Sequence, residues 1–225
     1  MLKKILGIML SFAVLLSMAG CNKKEEAPKN TSEPEQTQQA AADNQENQSS
    51  EAESPELYAD AIPFTIELEN GGVMKGELYP NLAPKTVENF VKLVNEKFYD
   101  GLIFHRVIEG FMIQGGGYDT EMNIKEADEI VGEFASNGFK NPLKHTKGVI
   151  SMARTNEPDS ASSQFFIMHE DTSSLDGQYA AFGRITEGLD VIDEIAEGET
   201  TNDPKYGMPD YPVKPVVIKT IKIDK

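Results

Sequence analysis

Cysteine occurs once in the chain, at Cys21, and tryptophan not at all. A single thiol forms no intramolecular disulfide and no cysteine-rich zinc site, so any folded domain must be held by its core. Histidine is scarce too. His105, His145 and His169 show no metal-ligand spacing, and His105, in a mostly apolar stretch, reads as a core histidine. Positive charge is outnumbered, 21 Lys and Arg against 37 Asp and Glu, which gives a net charge of −16. That balance argues against nucleic acid as a partner and disfavours docking onto anionic lipid. Gly115-Gly116-Gly117 lacks the Lys-Ser/Thr of a phosphate loop and reads as a bend or a close backbone approach. Ser160 to Ser163 lies in no nucleophile elbow, and the acids between Asp119 and Glu129 lack the ordered spacing of a calcium loop. We expect neither a metal nor a cofactor.

What is present begins with a leader. Lys3 and Lys4 precede a short apolar run from Ile5 to Leu16, and Ser17-Met18-Ala19-Gly20 then leads into Cys21. Residues 1–20 read as a secretory signal, too short for a membrane span, and the small residues before the lone cysteine match a bacterial lipobox. Acylation at Cys21 would supply the two or more chains that stable membrane residence needs, on the outer side of the cytoplasmic membrane. Residues 21–56 follow, rich in Glu, Gln, Asn, Ser, Ala and Pro and without an aromatic side chain. Such a stretch cannot bury enough surface to fold, and as a flexible tether it reaches roughly 30–36 Å.

Residues 57–225 are long enough for one domain with a full core. Ile62, Phe64, Ile66 and Leu68 alternate along a strand, and Asn70-Gly71-Gly72 turns the chain into a second strand from Val73 to Tyr79. Pro84 opens a helix with Val87, Phe90, Val91 and Val94 on one face, expected to run to about Phe98. Short strands are expected at Ile103–Val107, Met112–Gln114, Ile130–Glu133, Val149–Met152, Phe165–Met168 and Ala181–Ile185. A second helix should cover Leu189–Ala196 with Leu189, Ile192 and Ile195 inward, and Val213–Ile223 should return to the sheet. Many short strands, two helices and glycine-rich turns point to a closed antiparallel barrel rather than a βαβ fold.

The chemistry concentrates in Phe104-His105-Arg106-Val107-Ile108-Glu109-Gly110-Phe111-Met112-Ile113-Gln114-Gly115-Gly116. Bent at Glu109-Gly110, it would gather Arg106, Phe111, Met112 and Gln114 on one surface by period-two alternation. A cation, an amide and two soft hydrophobes suit an apolar ring attached to an amide. Proline within a peptide is such a ring.

This stretch, together with Lys144-His145-Thr146-Lys147-Gly148-Val149-Ile150-Ser151-Met152-Ala153-Arg154, Ser163-Gln164-Phe165-Phe166-Ile167, Leu175-Asp176-Gly177 and Phe182-Gly183, resembles the cyclophilin-type peptidyl-prolyl isomerases in block order and approximate spacing. The resemblance covers about Ala61 to Lys225. It implies a mainly β fold, a closed eight-stranded antiparallel barrel capped by two α-helices, and cis/trans isomerisation of X-Pro bonds. It assigns Arg106 as the catalytic donor, Phe111, Met112, Phe166 and Leu175 as the proline pocket, and Gln114 with the backbone around Ala153 and Arg154 as holding the substrate chain. Gln164 and Tyr179 complete the set. From the residues alone, Arg106 is as readily a surface ion pair, each apolar member can be core, and Gln164 can be a structural hydrogen-bonding partner.

Two positions depart from the better-known family pattern: Ser174 replaces a tryptophan and Tyr179 a histidine, so weak cyclosporin binding is implied. Tyrosine keeps a flat ring with a polar tip. The expectation is therefore a lipid-anchored, extracytoplasmic, monomeric isomerase acting on proline-containing exported polypeptides. A module that holds proline segments without turnover is the alternative, and a solute-binding lipoprotein shares the leader and tether but none of these blocks.

Overall fold

The computed structural model describes residues 55–225; the leader, Cys21 and most of the tether fall outside the described residues. The described chain begins with a 3₁₀ turn at Pro55–Tyr58, two residues before the expected domain start, with Tyr58 edge-on to Tyr79 at 4.7 Å.

Strands β1 (Ile62–Leu68) and β2 (Val73–Leu78) form the expected hairpin, Phe64, Ile66 and Leu68 pointing into the core. Helix α1 (Pro84–Asn95) starts on proline, whose missing N–H costs nothing at a first turn. Its remaining free N–H groups find a carboxylate: Glu133 accepts from the backbone of Lys85 and Thr86 and from the Thr86 hydroxyl, at 2.8–3.0 Å. That use of Glu133 explains one correction. Ile130–Glu133 is not a strand; only Ile130 makes a bridge, to Ala161, while Gly132 N–H donates to Asp159. Helix α1 also ends earlier than expected, because Lys97 takes a positive φ of 54° beyond it.

Strands β3 (Leu102–Ile108), β4 (Met112–Asp119), β5 (Val149–Met152), β6 (Phe165–Met168) and β7 (Ala181–Glu187) follow, then helix α2 (Leu189–Ala196), the short β8 (Thr200–Thr201) and β9 (Tyr211–Pro212), and β10 (Val216–Ile223). Eight of the strands close a barrel of antiparallel pairs in the order β1-β10-β3-β4-β6-β5-β7-β2. Strand β4 is longer than its sequence pattern shows. It continues through Gly115, Gly116 and Gly117, where a Cβ would meet the Ile103 carbonyl at 3.0 Å, the Ser163 carbonyl at 2.9 Å and the Gln164 side chain at 2.6 Å. Leu189, expected inward, is 37% exposed, whereas Ile192 and Ile195 are buried.

Both helices plug the interior: Val87, Phe90 and Val94 of α1 and Ile192 and Ile195 of α2 join one buried cluster with Phe64, Phe104, Phe165 and Phe182. Phe90 is its hub, 5.2–6.0 Å from the rings of Phe64, Tyr99, Phe165 and Phe182. Truncating a fully buried phenylalanine removes its transfer energy and leaves a cavity. Phe90→Ala should therefore destabilise the domain by about 3–5 kcal/mol, read as a lowered midpoint in urea, with Phe90→Leu costing less. An unmoved midpoint would show that the interior collapses around the gap.

Candidate active site

A second, smaller apolar cluster lies on the outside of the barrel, where Met112, Met168, Phe166 and Val149 are buried and Phe111, Ala153, Leu175 and Tyr179 pack partly covered against them. Register explains why. Arg106 of β3 stands opposite Gln114 of β4, Gln114 opposite Phe166 of β6, and Phe166 opposite Ser151 of β5. Their neighbours Val107, Ile113, Ile167 and Ile150 join the interior cluster, so alternation sends the row Arg106-Gln114-Phe166-Ser151 outward across four strands.

Above this row lies a cleft of about 120 Å³ lined by Arg106, Phe111, Met112, Gln114, Ala153, Arg154, Phe166, Leu175 and Tyr179. These are the anticipated residues with one exception: Gln164 stands behind the cleft, its Oε1 accepting from Gln114 Nε2 at 3.0 Å. Gln164 reaches Gln114 because Gly117 leaves its side chain room.

Arg106 is held from two sides. Arg106 Nε lies 3.5 Å from Asp210 Oδ2, and Nη1 lies 3.5 Å from Gln114 Oε1, leaving the side chain 42% exposed at the mouth. Asp210 itself is pinned by its carbonyl, which accepts from Val107 N–H at 2.8 Å. Phe111 follows Gly110, whose φ of +73° makes the β3–β4 turn. His169 closes that turn against the end of β6: Gly110 N–H donates to its Nδ1 at 2.9 Å and its own N–H donates to the Phe111 carbonyl at 2.9 Å.

Leu175 ends a 3₁₀ turn (Ser173–Leu175), and the next residue, Asp176, is anchored from below. Its Oδ1 accepts from the His145 N–H at 2.8 Å and lies 3.2 Å from His145 Nδ1, while His145 Nε2 lies 3.0 Å from Ser151 Oγ. The His145 ring is stacked on Phe166 at 6.0 Å and 17°. Ser151 and the His145 ring are fully buried, so this Ser-His-Asp chain has no route to a substrate and serves to brace Phe166 and the Leu175 turn. Burial lowers the His145 pKa, with Asp176 partly opposing, which favours the neutral ring.

Beside Arg106 on β3, His105 is 7% exposed, tilted against Tyr118 at 4.7 Å, with Nδ1 unpartnered. Burial pushes its pKa down to about 4; the Ile103 carbonyl and Gln164 oppose, and the adjacent Arg106 charge adds to the fall. Asp210, His145 and Asp176 carry no chemistry-bearing pattern of their own in the sequence. Only their place in the fold makes them supports of the site.

A family model described as cyclophilin type peptidyl-prolyl cis-trans isomerase matches residues 63–223. The chain belongs to this isomerase family. The cyclophilin domain is 43% identical over 177 residues to the peptidyl-prolyl cis-trans isomerase A of Dickeya dadantii, covering 76% of this chain and 90% of that protein. It is 45% identical over 168 residues to a peptidyl-prolyl cis-trans isomerase of Streptomyces antibioticus, covering 71% of this chain and 98% of that one. Among solved structures, a cyclophilin type isomerase of Cryptosporidium parvum superposes with a TM-score of 0.58 at 26% identity, covering 73% of this chain and 98% of that chain. The closed barrel with two helices is thus the cyclophilin architecture, and the isomerase activity is that of the family.

Proposed function

We propose that this cyclophilin speeds rotation about X-Pro bonds in exported polypeptides, from a lipid anchor at Cys21 outside the cytoplasm, with Arg106 as the catalytic donor. The observation that carries the reading is the row Arg106-Gln114-Phe166, which aims a cation and an amide over an apolar floor. Phe111, Met112, Phe166 and Leu175 take the prolyl ring; Gln114, Ala153, Arg154 and Tyr179 flank the chain, and Gln164 orients Gln114. The Cryptosporidium relative has also been crystallised in the presence of the dipeptide Ala-Pro.

The X-Pro amide resists rotation by about 18–20 kcal/mol because of its partial double bond, and uncatalysed exchange takes tens of seconds. Reaching milliseconds takes about 5–7 kcal/mol of stabilisation confined to the twisted state. In that state conjugation is lost and the prolyl nitrogen holds a localised lone pair. Arg106 stays protonated and presents a rigid fork, so it can donate to that nitrogen and to the neighbouring carbonyl. Such a bond contributes about 1.5–3 kcal/mol, and orientation and water exclusion on the apolar floor supply the rest. No step needs a cofactor.

Acceleration of both a prolyl peptide and a proline-limited refolding protein tests the reading. Peptide binding without acceleration of either would leave a holding module instead. For the anchor, Cys21→Ala should abolish labelling by radioactive palmitate and move the protein from the membrane pellet to the soluble fraction. Continued sedimentation of an unlabelled variant with membranes would exclude anchoring at this residue.

A further inference from the structure

Arg154 lines the same cleft, and its guanidinium is more tightly fixed than that of Arg106. Its central carbon lies 4.9 Å from the Phe134 ring centroid and 4.7 Å from that of Tyr179. Nε and Nη2 donate to the Gln178 carbonyl at 3.1 and 2.9 Å, and Nη1 donates to the Thr155 carbonyl at 2.8 Å. A guanidinium carries five N–H groups, so one on Nη1 and one on Nη2 remain for a ligand. No carboxylate of the described residues lies within 4.0 Å of Arg154, whereas Arg106 has Asp210. The cleft lining contains two arginines and no acid, in a chain of net charge −16.

We propose that Arg154 is a specificity-determining residue, its fixed and unneutralised guanidinium selecting proline-containing segments with a carboxylate side chain close to the proline. The inference rests on the isomerase reading of the same cleft. The ring sandwich and the three carbonyl bonds order the side chain before any substrate arrives, so little rotamer freedom is lost on contact. Both remaining donors suit the two oxygens of a carboxylate. Distance sets where that carboxylate sits. Strands β3 and β5, which carry Arg106 and lead to Arg154, are separated by two strands, roughly 14 Å at the ordinary spacing. An extended peptide covers that span in about four residues, fewer when the acidic side chain does part of the reaching. The selected acid therefore lies within about three residues of the proline.

The experiment uses the full chain in detergent and a peptide series with Glu, Gln or Lys scanned across the three positions on each side of one proline. At one position kcat/KM should follow Glu over Gln over Lys, with Glu about three- to tenfold above Gln, the size of a half-exposed charged contact. The preference should shrink in high salt, vanish in Arg154→Gln and survive in part in Arg154→Lys. If Arg154 were only a clasp on the Gln178–Tyr179 segment, Arg154→Gln would lower Glu and Gln peptides alike, and the proposal would fail. A parent enzyme that turns over the Gln peptides yet shows no charge preference at any position also overturns it, without need of a variant. Absence of turnover on every peptide would instead remove the isomerase reading on which the proposal stands.

Discussion

Arg106→Ala should lower kcat/KM for a prolyl peptide by about 10- to 150-fold while the circular dichroism spectrum stays that of the parent. The size follows from deleting one preorganised donor aimed at charge that develops only in the transition state. The spectrum should hold because the side chain is 42% exposed and its partners are a carboxylate and an amide at 3.5 Å, not core. Arg106→Lys keeps the charge but loses the fork, so it should recover only a small part of the rate. Asp210 provides a control within the same argument. Asp210→Asn removes the carboxylate that orients the guanidinium and should give an intermediate loss, mostly in kcat. A folded Arg106→Ala enzyme with near-parental kcat/KM would show that the cleft works by binding and water exclusion alone, and Arg106 would revert to a surface cation.

Much of this geometry is legible in the residues where order along the chain and order in space coincide. The β1–β2 hairpin follows from alternation at Ile62, Phe64, Ile66 and Leu68 and the Asn70-Gly71-Gly72 turn; the β3–β4 bend at Gly110, which brings Arg106 beside Gln114, is equally local. Phe166 and Ser151 share the outer face with Arg106 only through strand pairings β4–β6 and β5–β6, so nothing near them in sequence shows it. The resemblance to known isomerases points to Phe166, whereas Ser151 falls within a resembling block that gives it no role. Asp210 lies about a hundred residues from Arg106 and follows no pattern, since a carboxylate placed by the strand-edge bond between its carbonyl and Val107 N–H has no periodicity to betray it. The three glycines of β4 mark the close backbone approach expected of them but hide the strand's length: glycine weakens strands in general, yet here it is required because carbonyls and the Gln164 side chain approach within 3.0 Å of where Cβ atoms would be. Ile130–Glu133 misled in the opposite sense, its apolar start inviting a ladder that Glu133 forgoes in order to cap helix α1.

Acid should destabilise this domain through His105, despite the relief of self-repulsion that protonating carboxylates brings to a chain of net charge −16. The folded ring has its pKa pushed down from 6.5 to about 4, mainly by burial, while the unfolded ring titrates at its ordinary value. Between those two values the unfolded state binds the proton and the folded state does not, so stability rises with pH across the window. The contribution is fully present above about pH 6.5 and is lost as pH falls toward 4, the loss reaching about 2 kcal/mol at pH 5 and about 3 kcal/mol near pH 4. His145, lowered by burial in the same direction, adds a loss of the same sign. Because carboxylates begin to protonate in the same range, the clean measurement is a difference: urea unfolding at pH 7 and pH 5 for the parent and for His105→Gln, whose side chain stays neutral. The variant should lose less stability between the two pH values than the parent by about 2 kcal/mol. Activity should fall with the fold, since a proton on His105 would set a buried cation beside Arg106 and against Gln164, which holds Gln114. Equal pH dependence in parent and variant would mean that the folded ring takes its proton near the ordinary value, and that His105 is less shielded than its 7% exposure and unpartnered Nδ1 show.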